Sequence, residues 1–142
     1  AVPANFATAF VAILDAAGCL RFSNGGHLPP LWINAAGEVS QLTEGGLVLG
    51  FVENACFRQG ERQLAAGDLL VLYTDGVTEA VNPQGEEFGV LRLMEWARLQ
   101  SARDPERVEQ SLIQTVTDFC GGRRQADDLT VLVVRYCGRK AP

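Results

Sequence analysis

The order of apolar and polar positions predicts a series of short strands, then two helices, then a closing strand. Residues 6–14 are apolar at both alternating sets of positions except Thr8, a pattern typical of a central strand that is covered on both faces and paired on both edges. Leu69–Tyr73 form a second apolar run, which is unbroken, and residues 129–134 form a third, which is apolar except for Thr130. These three runs are the predicted core strands.

Turn residues divide the first half of the chain into hairpins. The segment 15–18 predicts a turn that pairs residues 19–23 with the first strand. Residues 31–34 and 39–42 flank a turn at Gly37 and predict a second hairpin, and the more polar segment 55–64 predicts a strand with one solvent-facing side. The loop 24–30 interrupts regular structure because it combines two glycines with two prolines.

The second half of the chain carries helical spacing. Val90, Leu93 or Met94, and Ala97 fall on one stripe, with Trp96 at its margin. A further helix is predicted from Asp104 as the cap and Pro105 at the first helical position, with inward-facing residues at 108, 112, 115 or 116, and 119. Gly121 and Gly122 end it. The fold class is therefore α+β with an antiparallel sheet.

Composition narrows the classes of function. A chain of 142 residues suits one domain, which we place at 1–138 with a tail at 139–142. The net charge of −5 argues against binding nucleic acid, and the apolar runs are too short to span a bilayer, so we expect a cytoplasmic protein with a protein partner. The four cysteines form no Cys-x-x-Cys pair, which disfavours a zinc or redox motif.

Candidate chemistry lies at the ends of the second and third apolar runs. Asp75 follows one strand directly, whereas Asp127 and Asp128 precede the other. If these strands are antiparallel neighbours, Asp75 and Asp127 meet at one rim, where carboxylates favour a hard cation such as Mg²⁺ or Mn²⁺. Gly76 would allow a sharp turn or the close approach of a ligand. Alternatively, Asp-Gly is an ordinary turn and the Asp-Asp pair a solvated loop.

His27 is the only histidine, so this chain cannot build a histidine-rich metal site. Two interpretations stay open for it: a structural residue that satisfies backbone partners, or a proton donor or substrate contact near the acidic rim. Arg123 and Arg124 likewise either help to hold a phosphorylated substrate or form a solvated loop.

Six segments, in this order, resemble the bacterial SpoIIE/RsbU branch of the metal-dependent type-2C serine/threonine phosphatases. They are Phe6-Ala7-Thr8-Ala9-Phe10, Asn24-Gly25-Gly26-His27-Leu28-Pro29-Pro30, Gly67-Asp68-Leu69-Leu70, Tyr73-Thr74-Asp75-Gly76-Val77-Thr78-Glu79-Ala80, Phe88-Gly89 and Asp127-Asp128-Leu129-Thr130. The resemblance covers nearly the whole chain. It implies two antiparallel sheets packed face to face with helices outside.

The resemblance also implies roles for single residues. Asp75 and Asp127 would bind a pair of Mn²⁺ or Mg²⁺ ions, with Gly76 in the same motif. Asp128 lies where relatives often have asparagine, which suggests a supporting role near the ligands. Glu79 is close enough in sequence to contribute but has no assigned role, and no general acid is assigned.

The implied activity is hydrolysis of a phosphoserine or phosphothreonine in a protein, without a covalent enzyme intermediate. The implied substrate is a phosphorylated anti-sigma-factor antagonist, and the implied parent joins this domain to an N-terminal sensor or receiver module. Family members carry two further acidic motifs upstream of the strand that resembles residues 6–14. We therefore expect this chain to be the second part of a phosphatase domain, inactive by itself and able to form a homodimer. The alternative is a non-catalytic interaction module that keeps the fold.

Overall fold

The computed structural model describes residues 5–122 and 128–139. Within them the chain forms a sandwich of two sheets with helices on one side. The elements are β1 (Ala9–Leu14), β2 (Cys19–Gly25), β3 (Leu31–Ile33), β4 (Val39–Gln41), β5 (Gly45–Gly46), β6 (Gly60–Gln63), β7 (Leu69–Tyr73), α1 (Asp75–Thr78), α2 (Gly89–Arg98), α3 (Pro105–Phe119) and β8 (Val131–Arg135).

The first sheet is built around β2. Strand β1 pairs with it antiparallel along its whole length, from Ala9 opposite Gly25 to Leu14 opposite Leu20. On the other edge of β2, β6 pairs antiparallel and the two residues of β5 pair parallel. The predicted hairpin at residues 15–18 is confirmed, and the polar strand expected over 55–64 is shortened to Gly60–Gln63.

The second sheet has the order β4-β3-β7-β8 and is antiparallel throughout. The hairpin predicted on either side of Gly37 is confirmed as β3 and β4. Strand β7 lies between β3 and β8, so it is paired on both edges, as a central strand should be.

Side-chain alternation on β7 divides the core into two layers. Leu70 and Leu72 face the first sheet and pack with Leu20 and Phe22 of β2. The other set faces the helices: Leu69, Val71 and Tyr73. Because every residue of β7 is buried except Leu72, which is half-buried, the prediction that this run is covered on both faces is confirmed.

The helices cover the outer face of the second sheet. Helix α3 packs on β8, and α2 packs on β3 and β4. Their buried faces are those that helical spacing predicted: Leu93 and Ala97 on α2, and Val108, Leu112 and Val116 on α3. Trp96, placed at the margin of the stripe by the sequence, is instead buried in this core, because its indole packs there while its Nε1 donates to Ser111 Oγ at 3.1 Å.

Strand β1 carries the apolar pattern of a central strand, but the described residues do not give it the surroundings of one. Within the described residues β1 pairs only with β2, and it forms an edge of its sheet. Phe10 and Leu14 face the core between the sheets, whereas Val11 and Ile13 are more than 60% exposed, at 63% and 62%. No helix of the described part covers this outer face.

Asp104 precedes α3 as predicted, with Pro105 in the first turn. Its side chain does not cap the helix, however, because the carboxylate accepts a hydrogen bond from Arg135 Nη1 at 3.3 Å. None of the described helices is long and apolar enough to cross a membrane.

Candidate functional site

The end of β7 and the start of β8 lie side by side at one rim of the second sheet. Tyr73 is paired with Val131. One step further, the Thr74 amide donates to the Thr130 carbonyl at 3.1 Å, and the Thr130 amide donates to Thr74 Oγ1 at 3.1 Å. The predicted antiparallel neighbourhood of these strands is therefore confirmed, and Asp75 lies beside the segment that enters β8.

Asp75 begins the short helix α1, where the sequence predicted a simple turn. The Glu79 amide donates to the Asp75 carbonyl at 2.8 Å, which closes one helical turn. Gly76 is buried against the entry to β8: a Cβ at this position would overlap the carbonyl oxygen of Asp128. The close approach that requires glycine here is thus to the chain's own backbone, and contact of Gly76 with a metal stays a prediction.

Asp75 lines a cleft of about 490 Å³ that opens at this rim. Its side chain is exposed, and no described residue donates a hydrogen bond to its carboxylate. The polar part of the cleft wall comes from three separate segments of the chain: Thr8, His27, Thr74, Asp75 and Glu79. The cleft therefore brings together residues that are up to 71 positions apart in sequence.

The remaining predicted site residues are placed as follows. Glu79 lies one helical turn after Asp75 and lines the same cleft. Asp128 is exposed, and its carbonyl packs on Gly76. Asp127 lies outside the described residues, as do Arg123 and Arg124, so their roles stay predictions.

His27 lines the same cleft as Asp75 and Glu79. Its Nδ1 is 3.1 Å from Thr8 Oγ1, and its main chain is bonded to the Asn24 side chain. The structure is therefore compatible with both interpretations from the sequence. Its hydrogen-bond partners suit a structural role, and the cleft that it shares with Asp75 suits a proton donor or substrate contact.

Sequence reasoning missed Asn24, Thr8 and Thr74. Asn24 is buried, with 4% of its surface exposed, although it is polar and ends a strand. The signal for Thr8 was present, because it is the only polar residue in the apolar run 6–14. Thr74 carried no comparable signal, since its hydrogen bond is made to a residue 56 positions away.

Tyr73 borders the rim but does not belong to the cleft. Its ring lies in the core between the second sheet and the helices, and its hydroxyl has no hydrogen-bond partner in the described part of the chain. Burial raises the pKa of the Tyr73 hydroxyl above its ordinary value of 10.0, so the group stays neutral at physiological pH.

The donor set at the rim fits one side of a site for a hard cation. Asp75 offers an exposed carboxylate without a protein partner among the described residues, and carboxylate oxygens suit Mg²⁺ or Mn²⁺. The described residues do not form any group of three or more side chains able to hold a metal. A complete site would therefore need ligands beyond them, with Asp127 as the first candidate from the sequence.

Comparisons with known proteins agree with this architecture. Residues 2–136 match the family model of Stage II sporulation protein E (SpoIIE). Protein IcfG of Synechocystis sp. is 33% identical over 132 residues, which are 92% of this chain and 21% of that protein. Phosphoserine phosphatase RsbU of Bacillus subtilis is 28% identical over 117 residues, which are 80% of this chain and 34% of that protein.

Among solved structures, the phosphatase domain of SpoIIE from Bacillus subtilis superposes with a TM-score of 0.73 at 25% identity. The match covers 96% of this chain and 58% of that domain. The chain thus spans about a fifth and a third of these two curated relatives and somewhat more than half of the phosphatase domain. The family model matches almost the whole length of this chain, and the fold is shared with a type-2C phosphatase domain. The chain therefore belongs to the SpoIIE family.

Proposed function

We propose that this chain is the larger part of a metal-dependent phosphatase domain that hydrolyses phosphoserine or phosphothreonine in a regulatory protein. The observation that carries the proposal is the pairing of β7 with β8, because it places Asp75, which lines an open cleft, beside the entry to β8. The similarity to a phosphoserine phosphatase supports the same reaction class.

In this proposal Asp75 and Asp127 hold Mn²⁺ or Mg²⁺, with Glu79 and Asp128 close to them. The bound ions supply activation of the attacking water and stabilisation of charge on the phosphoryl oxygens. Packing of Gly76 against Asp128 fixes the spacing between the two acidic segments, and the bonds between Thr74 and Thr130 hold the end of β7 beside the entry to β8. These residues therefore orient the carboxylates before substrate binds.

The substrate we propose is a phosphorylated antagonist of an anti-sigma factor, acted on in the cytoplasm by a larger protein that also carries a sensor or receiver module. Support for this finer assignment comes from the relatives, two of which are named for RsbU and for stage II of sporulation. Each of these relatives is much longer than the segment that matches.

The test is Asp75→Asn in the full-length protein, since this change removes the charge and keeps the volume. Turnover of a phosphoserine peptide in Mn²⁺ should fall by about 100-fold or more, and Mn²⁺ binding measured by calorimetry should weaken in parallel. The matched control is Asp118→Asn on the exposed face of α3, where Gln114 at 2.7 Å is the only hydrogen-bond donor to the carboxylate among the described residues.

Asp118→Asn should leave turnover and Mn²⁺ binding unchanged. If Asp75→Asn also leaves both unchanged, Asp75 is not a ligand and the site is elsewhere. If the unaltered protein neither binds Mn²⁺ nor turns over, the interaction-module alternative takes the place of the phosphatase.

A further inference from the structure

The loop between β2 and β3 is held by a buried asparagine whose side chain bonds to the backbone of His27. Asn24 Oδ1 accepts from the His27 amide at 2.7 Å, and Asn24 Nδ2 donates to the His27 carbonyl at 2.9 Å. Because Asn24 is only 4% exposed, this pair of bonds is shielded from competing water. The main chain of His27 is therefore fixed from both sides.

Gly26 adds a second constraint to the same loop. Its φ is +71°, in the left-handed region that favours glycine, and a Cβ there would collide with Val48. The backbone of Asn24 itself is tied into the sheet, since its amide donates to the Glu44 carbonyl at 2.9 Å. The position of residue 27 is thus built into the fold rather than left to a mobile loop.

The imidazole ring is oriented as well. Thr8 Oγ1 lies 3.1 Å from His27 Nδ1, and no described residue bonds Nε2. One of the two neutral tautomers carries its proton on Nε2, the ring nitrogen that no described residue bonds. In that tautomer the Thr8 hydroxyl donates to Nδ1, and Nε2–H is available as a donor.

The cleft needs such a donor if it is to hold a phosphate. No lysine or arginine lies among the described residues that line it, and two of its side chains are carboxylates. His27 is the one ring N–H that the described part of the wall can offer to a phosphoryl oxygen.

We propose that His27 anchors the substrate phosphoryl group through Nε2–H, and that Asn24 and Thr8 are positioning residues that hold its backbone and its ring. This inference rests on the proposed phosphatase function and adds a specific phosphate contact to it. Asn24 acts at a distance from the substrate, through the loop, while His27 touches it.

The first experiment reads the tautomer directly by ¹⁵N NMR of the full-length protein without metal. The His27 signals are assigned by their loss in His27→Gln. The expected result is a proton on Nε2 and none on Nδ1, and Thr8→Val should remove this preference while the fold is kept. A proton on Nδ1 in the unaltered protein would overturn the proposal.

The second experiment adds inorganic phosphate to the same protein loaded with Mg²⁺, which is diamagnetic, unlike Mn²⁺. Phosphate should shift the His27 Nε2 signal in the unaltered protein and should bind at least about tenfold more weakly to His27→Ala, because a hydrogen bond to a charged group is lost. Phosphate that binds equally well to His27→Ala would contradict the anchor.

Kinetics separates a positioning role from a general loss of structure. His27→Ala and Asn24→Ala should each raise the KM for a phosphoserine peptide by about tenfold, with a smaller change in kcat. The control is Asn34→Ala, since Asn34 Oδ1 also accepts two backbone amides at 3.0 Å, from Ala36 and Glu38, but in the β3–β4 turn. This control should keep both constants.

Failure of the two proposals can be told apart. An unaltered protein without turnover, in which phosphate still shifts His27, would reject the phosphatase and keep the anchor. Normal turnover with unchanged KM in both His27→Ala and Thr8→Val would reject the anchor and keep the phosphatase. Thr8→Val keeps the test decisive if Asn24→Ala does not fold, because Thr8 is exposed.

Discussion

The two sheets share one core, yet they differ in what covers their other face. On the second sheet, β7 is buried on both sides, by the first sheet and by α2 and α3. On the first sheet, β1 buries Phe10 and Leu14 but leaves Val11 and Ile13 more than half exposed. Both strands are unbroken apolar runs. An apolar run alone therefore does not determine how many faces are covered within the described residues.

This difference between the two sheets also affects the candidate site. The covered sheet carries the acidic rim at the end of β7, where rigid neighbours hold Thr74 and Thr130 in place. Segments that flank the strands of the open sheet contribute Thr8 and His27 to the cleft. The candidate site therefore lies at the junction of a fully packed layer and a half-covered one.

Matched alanine substitutions should show the largest difference between the layers. Leu69→Ala removes a side chain with 0% exposure and should lower the free energy of unfolding by about 3 kcal/mol, through lost burial and the cavity left behind. Ile13→Ala, at 62% exposure, should cost less than about 1 kcal/mol in this chain. Urea denaturation of both variants provides the comparison.

The same pair measured in the full-length protein would sharpen this comparison. A cost at Ile13 that rises to that at Leu69 would mean that residues outside the described part cover β1. Equal costs in the 142-residue chain itself would show that the outer face of β1 is already buried there, against the structure.

Removing a buried carboxylate that closes a turn should also cost more stability than removing an exposed one. Asp68 is 2% exposed, and its Oδ2 accepts from Trp32 Nε1 and from the Ala65 amide, both at 3.0 Å. Asp15 makes two similar bonds, to the amides of Ala17 and Cys19 at 2.9 Å, in an exposed turn of the first sheet.

Asp68→Ala should therefore cost about 2 kcal/mol, because it removes a buried acceptor and leaves the half-buried indole N–H of Trp32 without its partner, and Asp15→Ala about 1 kcal/mol or less. Thermal and urea unfolding of the two variants would measure the difference. A smaller loss for Asp68→Ala than for Asp15→Ala would contradict the assignment of Asp68 as a buried structural acceptor.

The open edge of β1 also predicts self-association of this chain. An edge strand with an exposed apolar row can pair with a second copy. Sedimentation velocity should show concentration-dependent dimers that Ile13→Lys abolishes. Leu91→Lys, at a site on α2 that is 80% exposed, should leave them intact. A chain that stays monomeric at all concentrations would show that the edge is protected.

Much of this arrangement could be predicted from the sequence, because local patterns and chain order determine it. The strand-then-acid order at Asp75 and the acid-then-strand order at residues 127–134 predicted that β7 and β8 would meet at one rim, which the pairing of Tyr73 with Val131 confirms. The start of α3 at Pro105 followed from local helix signals in the same way.

What escaped prediction depends on contacts between distant segments. Asn24 looked like a turn residue, but its burial follows from the packing of residues 42–45 on the end of β2. The single edge of β1 likewise cannot be seen in an apolar run, since that pattern indicates what a strand could bury and not which neighbours the chain supplies. The metal ligands stay predictions, since Asp127 lies outside the described residues.

The smallest expected effect concerns the ion pair of the open sheet, in which Arg62 Nη2 lies 2.6 Å from Glu44 Oε1. Partial burial raises the pKa of the Glu44 carboxyl, but the hydrogen bond and charge of Arg62, together with hydrogen bonds from the backbone, outweigh it and bring that pKa below the ordinary value of 4.5. A carboxyl whose pKa is lower in the folded state stabilises the fold above its unfolded pKa and loses this contribution as the pH falls through the folded pKa.

Glu44→Gln should therefore reduce the loss of stability that occurs when the pH falls below about 4.5. At pH 7 it should change the free energy of unfolding by only about 0.5 kcal/mol, because both side chains are roughly a third exposed and water screens the pair. Urea titrations between pH 3 and pH 7 would measure the free energy of unfolding of both proteins across this range. If Glu44→Gln instead cost as much at pH 7 as Asp68→Ala, the pair would behave as a buried one. Water would then be excluded from the Arg62 side of β6, although the structure leaves both side chains of the pair about a third exposed.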